Sequence, residues 1–392
     1  MVTRMYNCYF GDCFRISNDG QKDLLVDCGI HPNSICENKK TKKNRFDFIH
    51  SDILGKNTDF LLTHYHEDHY NGIISISKNH NYKFDDVYIP DIWNEQVSID
   101  AVNVVLLEEM LAECYLARNR SLVDFLKAIC SSKIHFVKKD DPIQDKYVAL
   151  WPTIDFINRR AHSLHGDAVE NLQLNGIQSE LLYSIAGRIK SAVLDMREDN
   201  VPVEEILERC RIAENDMTRF VETLNSDNKT YTKNAKKQIK YLSEFGNDIS
   251  IVFHNKTYEK YENILFTGDF GSDSYLWNEM LYPSGNPESR SLYSNYHIIK
   301  VPHHGTKPYF NSIMADIIDQ KSIFLIPNSN CKGKLSSATI SQNYSLLSLS
   351  KEATTICTNT NHCDACSINN NTCSCRRYEN VSSRPNNYID IC

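Results

Sequence analysis

Apolar residues in the first hundred positions recur as short runs separated by turn residues, a pattern that predicts β-strands with one helix. Residues 6–16 and 23–27 flank an Asn-Asp-Gly sequence at 18–20, which is typical of a hairpin turn. Consecutive apolar positions at 24–26 indicate a strand buried on both faces. Further strands are predicted at 60–63, 87–89, 250–253, 264–267, 297–301 and 322–326.

The pattern changes at about residue 98, where apolar positions begin to follow helical spacing. Helices are predicted at 102–116, 122–130, 181–194, 203–210 and 217–224, interrupted by one strand pair at 133–137 and 147–151. We therefore predict an α/β scaffold whose two halves are residues 1–97 and 246–356. A mostly helical insertion at 98–245 separates the halves, and a Cys-rich tail follows at 357–392.

The composition restricts the possible binding partners of the protein more than it restricts the reactions that it could catalyse. The chain has a net charge of −7 and 41% hydrophobic residues, so it has no overall attraction for nucleic acid or for an anionic membrane. No apolar run approaches the ~18 residues needed to span a bilayer, and the first residues lack the apolar stretch of a signal peptide. We therefore expect a cytoplasmic protein without a membrane partner, in which clustered cysteines indicate metal binding rather than disulfides.

Histidines and aspartates are concentrated directly after the strand predicted at 60–63. Imidazole and carboxylate groups are good ligands for zinc or manganese, and alternate positions after a strand project to the same side. His64 and His66 can therefore share one metal, while Asp68 and His69 bind a second. Asp269, which also follows an apolar strand, is well placed to bridge the two cations. The predicted metal ligands are His64, His66, Asp68, His69, Asp269 and His303.

The order of these motifs resembles the metallo-β-lactamase superfamily, and more narrowly the soluble domain of ComEC-type DNA-uptake proteins. The motifs are Asp-x-Gly at 27–29, His-x-His-x-Asp-His at 64–69, Gly-Asp at 268–269 and His-His-Gly at 303–305, preceded by Phe-Gly-Asp-Cys at 10–13. The resemblance covers residues 6–95 and 246–345 and implies an αββα sandwich. It covers neither the helical insertion nor the Cys-rich tail.

The chain departs from the superfamily pattern at the histidine that completes the first metal's ligand set in the lactamases. His162 and His165 lie between the motifs, but in a stretch without a regular pattern. The ComEC-like branch has an Asn/Ser segment instead of that histidine, which implies that Asn247 and Ser250 line the site. The Gly-His-Pro sequence that often follows the last strand in that branch is also missing, since residues 330–337 contain no histidine.

The resemblance implies a hydroxide activated by two divalent cations and in-line attack on a phosphodiester. His64 and His66 would hold the first cation, Asp68, His69 and His303 the second, and Asp269 would span both. Asp68 and His66 would be essential for turnover. Asp27 would orient a metal-ligating side chain without itself contacting the metal. His304 and Thr306 would be available for proton donation or phosphate contact.

Two further clusters suggest partners. The first contains Lys39, Lys40, Lys42, Lys43 and Arg45. It is explained by a solvated loop, or by a patch that follows substrate phosphates beside the site. A second basic run at 229–240 is predicted to be an exposed helix face.

The other cluster that suggests a partner is a group of cysteines in the tail, namely Cys363, Cys366, Cys373 and Cys375. This spacing can close a tetrahedral structural zinc site, and the polar surroundings favour a metal that stabilises them. Cys357, His362 and Cys392 are alternative ligands, and free thiols or disulfides remain alternatives to zinc. Such a knuckle could contact nucleic acid or a protein partner.

We therefore predict a metal-dependent phosphodiesterase or nuclease that acts on DNA, RNA or a nucleotide. One alternative is a hydrolase of another ester, a thioester or a lactam. The other is a non-catalytic sensor or scaffold that binds a protein partner through the helical insertion or the tail. Soluble relatives of the ComEC-like branch are often encoded in bacterial antiphage cassettes, so the resemblance also implies a role in defence.

Overall fold

Two mixed β-sheets and the helices that cover them form a mixed α/β fold. The computed structural model describes residues 1–8, 10–17, 20–32, 39–198, 201–225, 230–259, 261–271, 273–282, 290–328, 340–351, 353–358 and 388–391. The four cysteines of the predicted tail zinc site, together with His362, Cys392 and residues 330–337, lie outside these ranges.

The first sheet has seven strands in the order β14-β1-β2-β3-β4-β5-β6. Its strands are antiparallel from β14 to β3 and parallel from β3 to β6. They are β1 (Val2–Tyr6), β2 (Cys13–Ser17), β3 (Asp23–Cys28), β4 (Thr58–Leu61), β5 (Asp86–Pro90), β6 (Lys133–Val137) and β14 (Tyr388–Ile391).

The second sheet also has seven strands, in the order β13-β12-β11-β10-β9-β8-β7. Its strands are parallel from β13 to β10 and antiparallel from β10 to β7. They are β7 (Pro142–Ile143), β8 (Tyr147–Trp151), β9 (Val252–Asn255), β10 (Ile264–Phe266), β11 (Ile298–Lys300), β12 (Ile323–Ile326) and β13 (Thr354–Cys357).

The two sheets pack face to face, and helices cover their outer faces. One apolar core draws its residues from both sheets and from none of the described helices, and within it the ring of Phe14 meets that of Phe266 at 5.3 Å. On the outer faces, helix residues pack against strands, as Phe125 does on Phe60. The helices are α1 (Lys39–Ile53), α2 (Glu67–His80), α3 (Ile99–Leu116), α4 (Leu122–Ile129), α5 (Ile154–Asn171), α6 (Gly176–Glu198), α7 (Val203–Asn225), α8 (Thr230–Asp248), α9 (Ser274–Leu281) and α10 (Gln342–Lys351).

Several predicted elements are present with changed bounds or pairing. The predicted hairpin is formed by β2 and β3, but its first strand begins at Cys13. The strands predicted at 133–137 and 147–151 are both present with these bounds, but their predicted pairing is wrong, because β6 joins the first sheet beside β5 whereas β8 joins the second beside β9. The helical segment therefore contributes edge strands to both sheets. The helices predicted at 203–210 and 217–224 form the single helix α7.

Four of the described helices, α1, α5, α9 and α10, occupy stretches where the sequence pattern predicted none. His162 and His165 lie in α5, where the side chain of the N-cap residue Thr153 accepts a hydrogen bond from the backbone N–H of Phe156. The cations at 39–45 belong to α1 rather than to a loop. The second basic run follows the prediction, since residues 236, 237 and 240 are exposed on α8.

Both ends of the predicted tail are strands. Cys357 is buried in β13 of the second sheet, and β14 pairs with β1 in the first. None of the described helices combines the length and the apolar character needed to cross a membrane.

Candidate metal centre

The carboxyl ends of four strands bring most of the predicted ligands to one place. Asp27 lies near the end of β3, and His64 follows the adjacent parallel strand β4. In the second sheet, Asp269 follows β10 and His303 follows its parallel neighbour β11. Because parallel strands end at the same edge of a sheet, these side chains converge where the two sheets meet.

The carboxylate of Asp269 lies at the centre of this arrangement. Its Oδ2 atom is 3.5 Å from His69 Nε2 and 3.5 Å from His304 Nε2. The same oxygen is 3.8 Å from His303 Nε2 and 3.9 Å from His64 Nε2. Four imidazole nitrogens therefore surround one buried carboxylate oxygen, an arrangement expected of a carboxylate that is shared between cations.

The outer nitrogens of His69 and His304 are held by acceptors. His69 Nδ1 donates to Asp27 Oδ2 at 2.9 Å, and His304 Nδ1 lies 3.0 Å from the carbonyl oxygen of Pro327. A neutral ring that donates through Nδ1 presents the lone pair of Nε2 on its other side. Both Nε2 atoms are buried and have no hydrogen-bond partner among the described residues. Imidazole nitrogens that face a carboxylate and have no hydrogen-bond partner fit a bound divalent cation once they are deprotonated.

His303 is oriented in a similar way. The hydroxyl of Thr306 donates to the carbonyl oxygen of His303 at 2.9 Å, so it accepts from His303 Nδ1 at 2.8 Å. The ring of His303 also stacks on that of Tyr309, with centroids 3.9 Å apart. Thr306 is 1% exposed and already engaged, so it holds His303 and is not free for the phosphate contact expected from the sequence.

Four overlapping groups of described residues have ligand atoms close enough to share a metal, and two of these groups do not include Asp12. His64, His69 and Asp269 form one, and Asp68, His69 and His304 form the other, with all ligand atoms of a group within 4.8 Å. The second group contains His304 where the sequence predicted His303. Both histidines have left-handed backbone angles, with φ of 54° and 44°, and His304 is the one directed inward at 1% exposure. Such strain in non-glycine residues is typical of functional sites.

His66 completes the arrangement from the side of α8. Its Nδ1 is 2.9 Å from His64 Nε2, and its Nε2 is 3.2 Å from the hydroxyl oxygen of Ser243. A β-carbon on Gly246 would lie 2.9 Å from His66 Nε2, so the absence of a side chain there lets the helix approach the ring. His64 and His66 thus face one another with the nitrogens that a first cation would need.

A second glycine fixes the ligands that begin α2. A β-carbon on Gly29 would lie 2.3 Å from the backbone carbon of Asp68, so only glycine lets the end of β3 approach this helix. Asp68 lies in the first turn of α2, where a carboxylate is favoured by the helix dipole. The close approach of the backbone at Gly29 to the start of α2 therefore fixes Asp68 and His69 beside Asp27.

Sequence reasoning did not assign a role to two charged residues behind the site. Lys300 is 1% exposed, and its Nζ is 2.5 Å from Asp12 Oδ2 and 3.3 Å from Asp269 Oδ1. Burial alone would lower the pKa of Lys300, but Asp12 and Asp269 raise it above its usual value. The ammonium group therefore stays charged and holds Asp269 with Oδ2 directed at the histidines. A lone lysine at the end of the otherwise apolar strand β11 was the available clue.

Asp12 also contacts His304. Its Oδ1 is 3.0 Å from His304 Nδ1. Although burial lowers the pKa of His304, the carboxylates of Asp269 and Asp12 raise it to about 10. In the absence of a cation the ring therefore carries a proton, and cation binding has to displace it.

The remaining predicted site residues lie in different positions. Asn247 lines the cavity beside the metal centre. Ser250 is fully buried and accepts a hydrogen bond from the backbone N–H of Asp269 at 3.2 Å, so it positions that residue. His162 and His165 both pair with Asp100 on α3 and belong to none of the four ligand groups.

The cavity that opens onto the site has a volume of about 190 Å³ and includes His66, Asp68, Asp269, His303 and His304 in its wall. The basic cluster on α1 reaches its rim, because Lys42 Nζ donates to the carbonyl oxygen of His31, which lines the cavity, at 3.4 Å. Lys39 and Lys40 form the first residues of α1, and Lys43 and Arg45 are not among the lining residues.

Replacing Asp27 by Asn is expected to weaken zinc binding by about 10–100-fold, the usual effect of removing an outer partner of a ligating histidine. Asp27 accepts from His69 Nδ1 and from both the backbone N–H and the hydroxyl of Thr63, at 2.7 and 2.8 Å for the latter two. Competition with a fluorescent chelator measures the affinity. Asp47→Asn, which removes the partner of the exposed His80, is the control. Equal affinity in the two variants would contradict the prediction.

Comparison of the chain with family models, with curated proteins and with solved structures gives no match. Function therefore has to be inferred from the residues and their geometry.

Proposed function

We propose that this protein is a metal-dependent phosphodiesterase whose site holds two divalent cations, Zn²⁺ or Mn²⁺. The observation that carries the proposal is the position of Asp269 Oδ2, which lies within 3.5–3.9 Å of four imidazole Nε2 atoms. The buried, unpartnered Nε2 atoms of His69 and His304 support it further. The two facing sheets with helices outside support an αββα sandwich of the metallo-β-lactamase type.

Each ligating side chain has a defined task in this proposal. His64 and His66 would hold the first cation, Asp68, His69 and His304 would hold the second, and Asp269 would be available to both. Asp27 and Pro327 fix the rings of His69 and His304 through their Nδ1 atoms. When bound, such a pair of cations supplies a hydroxide nucleophile and stabilises the attacking and leaving oxygens of a phosphodiester.

A substrate panel tests the proposal. The full chain is assayed with single- and double-stranded DNA, RNA, cyclic dinucleotides and bis-p-nitrophenyl phosphate, with Zn²⁺ and Mn²⁺ separately. We expect cation-dependent cleavage of at least one phosphodiester, its loss in Asp68→Ala and its retention in Asp47→Ala. Cleavage of esters or thioesters with no phosphodiester cut would overturn the proposal.

The basic cluster on α1 gives a separate prediction. If it follows substrate phosphates, replacing Lys42, Lys43 and Arg45 by Gln lowers the slope of log affinity against log salt. For single-stranded nucleic acid the expected change is about 0.7 per lost contact. The measurement is binding of labelled oligonucleotide over a range of salt concentrations. The matched control replaces Lys236, Lys237 and Lys240, which are exposed on α8. An unchanged slope would show that the cluster does not contact substrate phosphates.

A further inference from the structure

Beyond the metal ligands, the cavity wall is rich in hydrogen-bond acceptors. Glu67, Glu108, Glu109 and Asn247 line it, together with the cation Arg118. Arg118 Nη1 lies 3.9 Å from Glu108 Oε1, and three glutamates line the cavity together with this one arginine. This composition favours a ligand that donates hydrogen bonds and disfavours a second negative charge at this wall.

Asn247 contributes an acceptor that nothing within the described residues satisfies. Its side chain is 4% exposed, and its Nδ2 donates to the hydroxyl of Tyr309 at 3.0 Å. Its Oδ1 is buried and has no hydrogen-bond partner in the described part of the chain. Leaving a buried acceptor unpaired is unfavourable, so a ligand donor that reaches this oxygen would gain affinity.

Glu109 contributes a second such acceptor. Its Oε1 accepts from the backbone N–H groups of Ser121 and Leu122 at 3.0 and 2.8 Å, which fixes the carboxylate at the start of α4. Its Oε2 is buried and has no partner among the residues that the structure describes. The side chain is 8% exposed and lines the same cavity as Asn247. Two rigid, unpaired acceptors therefore belong to one cavity wall.

The size and the apolar part of the cavity limit what can fill it. At about 190 Å³ the cavity is smaller than the roughly 300–1,000 Å³ that drug-sized ligands occupy. It therefore admits one part of a substrate rather than the whole. The ring of Phe10 lines it and packs on His304 with centroids 4.3 Å apart, which provides an apolar surface beside the metal centre.

We propose that this wall is a subsite for the sugar or base of a nucleotide, whose hydroxyl or amino groups donate to Asn247 Oδ1, Glu109 Oε2 and the carboxylate of Glu108. The inference rests on the proposed phosphodiesterase function and narrows its substrate class. The phosphate lies at the cations and the donor-bearing nucleoside lies against the acceptors. The acidic wall excludes a second stretch of polyanionic backbone from the cavity.

Equilibrium binding to the full chain with Mn²⁺ tests the subsite without requiring turnover. Adenosine 5′-monophosphate is compared by calorimetry with phenyl phosphate, which has the same charged group but no sugar or base donors. We expect adenosine 5′-monophosphate to bind about tenfold more tightly, a difference of the size expected from one or two additional hydrogen bonds. Ribose 5-phosphate and the 2′-deoxynucleotide then show whether the sugar or the base supplies the donors.

Three variants assign the effect to the wall. Asn247→Leu removes the acceptor, and Glu108→Gln removes the charge and exchanges one acceptor oxygen for a donor group. Each is expected to reduce the preference for the nucleotide over phenyl phosphate by about fivefold or more. Asn247→Asp keeps an acceptor and is expected to retain most of the preference. Glu170→Gln, at an exposed position on α5, is the matched control. Because every result is a ratio of two ligands that share the cations, a general loss of metal or fold does not imitate it.

The inference is overturned if wild-type protein binds phenyl phosphate as tightly as the nucleotide, or if both Asn247→Leu and Glu108→Gln keep the wild-type ratio. Failure of the phosphodiesterase proposal has a different signature. It appears as the absence of cation-dependent cleavage in the substrate panel, whatever the binding ratio.

Discussion

Replacing Asp269 by Asn is expected to abolish hydrolysis and to remove most of the bound metal. Asp269 Oδ2 lies within 3.5–3.9 Å of four imidazole nitrogens, so it is the shared ligand of the proposed pair of cations. Loss of an outer partner of a ligand costs about 10–100-fold, and loss of a shared ligand should exceed the upper end of that range. The substitution keeps the volume of the side chain. It also keeps the hydrogen bond that the backbone N–H of residue 269 donates to the hydroxyl oxygen of Ser250.

The measurement is metal content after dialysis, combined with the rate on whichever phosphodiester the panel identifies. Circular dichroism establishes that the variant is folded. Asp47→Asn is the control, because that carboxylate lies on α1 and pairs with His80, an exposed histidine at the end of α2. Normal metal content and a normal rate in Asp269→Asn would show that Asp269 is a structural residue.

Replacing Lys300 by Met is expected to destabilise the metal-free protein by about 3–5 kcal/mol. Asp12 is fully buried and Asp269 is 2% exposed, and both lie within 3.3 Å of the ammonium group. Removing the lysine leaves two carboxylates without their nearest compensating cation in a medium that solvates charge poorly. Added Mn²⁺ should recover part of the loss, because a cation that binds only the folded state stabilises it by mass action.

Urea unfolding with and without Mn²⁺ measures both effects. Combining Lys300→Met with Asp12→Asn removes one of the uncompensated charges and should restore part of the stability. Lys240→Met, at an exposed position of α8, is the control. A Lys300→Met protein no less stable than this control would mean that the buried ion pair contributes nothing to folding.

Four of the six ligands predicted from the sequence share one property. His64, His66, Asp68 and His69 are adjacent in the chain and directly follow a strand, so local pattern and ligand chemistry coincide. Asp12 and Lys300 lie 288 positions apart in the chain, from 12 to 300. Each is a charged residue in an apolar environment, and its position is explained only by the ion pair that it forms with the other. Their relation arises from the packing of the two sheets, which no local pattern contains.

The exchange between His303 and His304 has a similar origin. Two adjacent histidines are equivalent in the sequence, whereas in the structure the side chain of His304 is 1% exposed and that of His303 is 22% exposed. The helix α5 was missed for a different reason. Its buried positions Ile157, Ala161, Leu164 and Ala168 have helical spacing, but intervening arginines and histidines dilute the apolar pattern.

Helix α8 connects the metal centre to the helical segment. It supplies the hydroxyl of Ser243 and the bare backbone of Gly246 to His66, while the carbonyl oxygen of Asp248 accepts from Trp151 Nε1 in the second sheet. Transient local unfolding of this helix would release His66, so its opening free energy and cation occupancy are thermodynamically linked. Amide exchange in the last turns of α8 should therefore report occupancy of a site to which the helix donates no ligand.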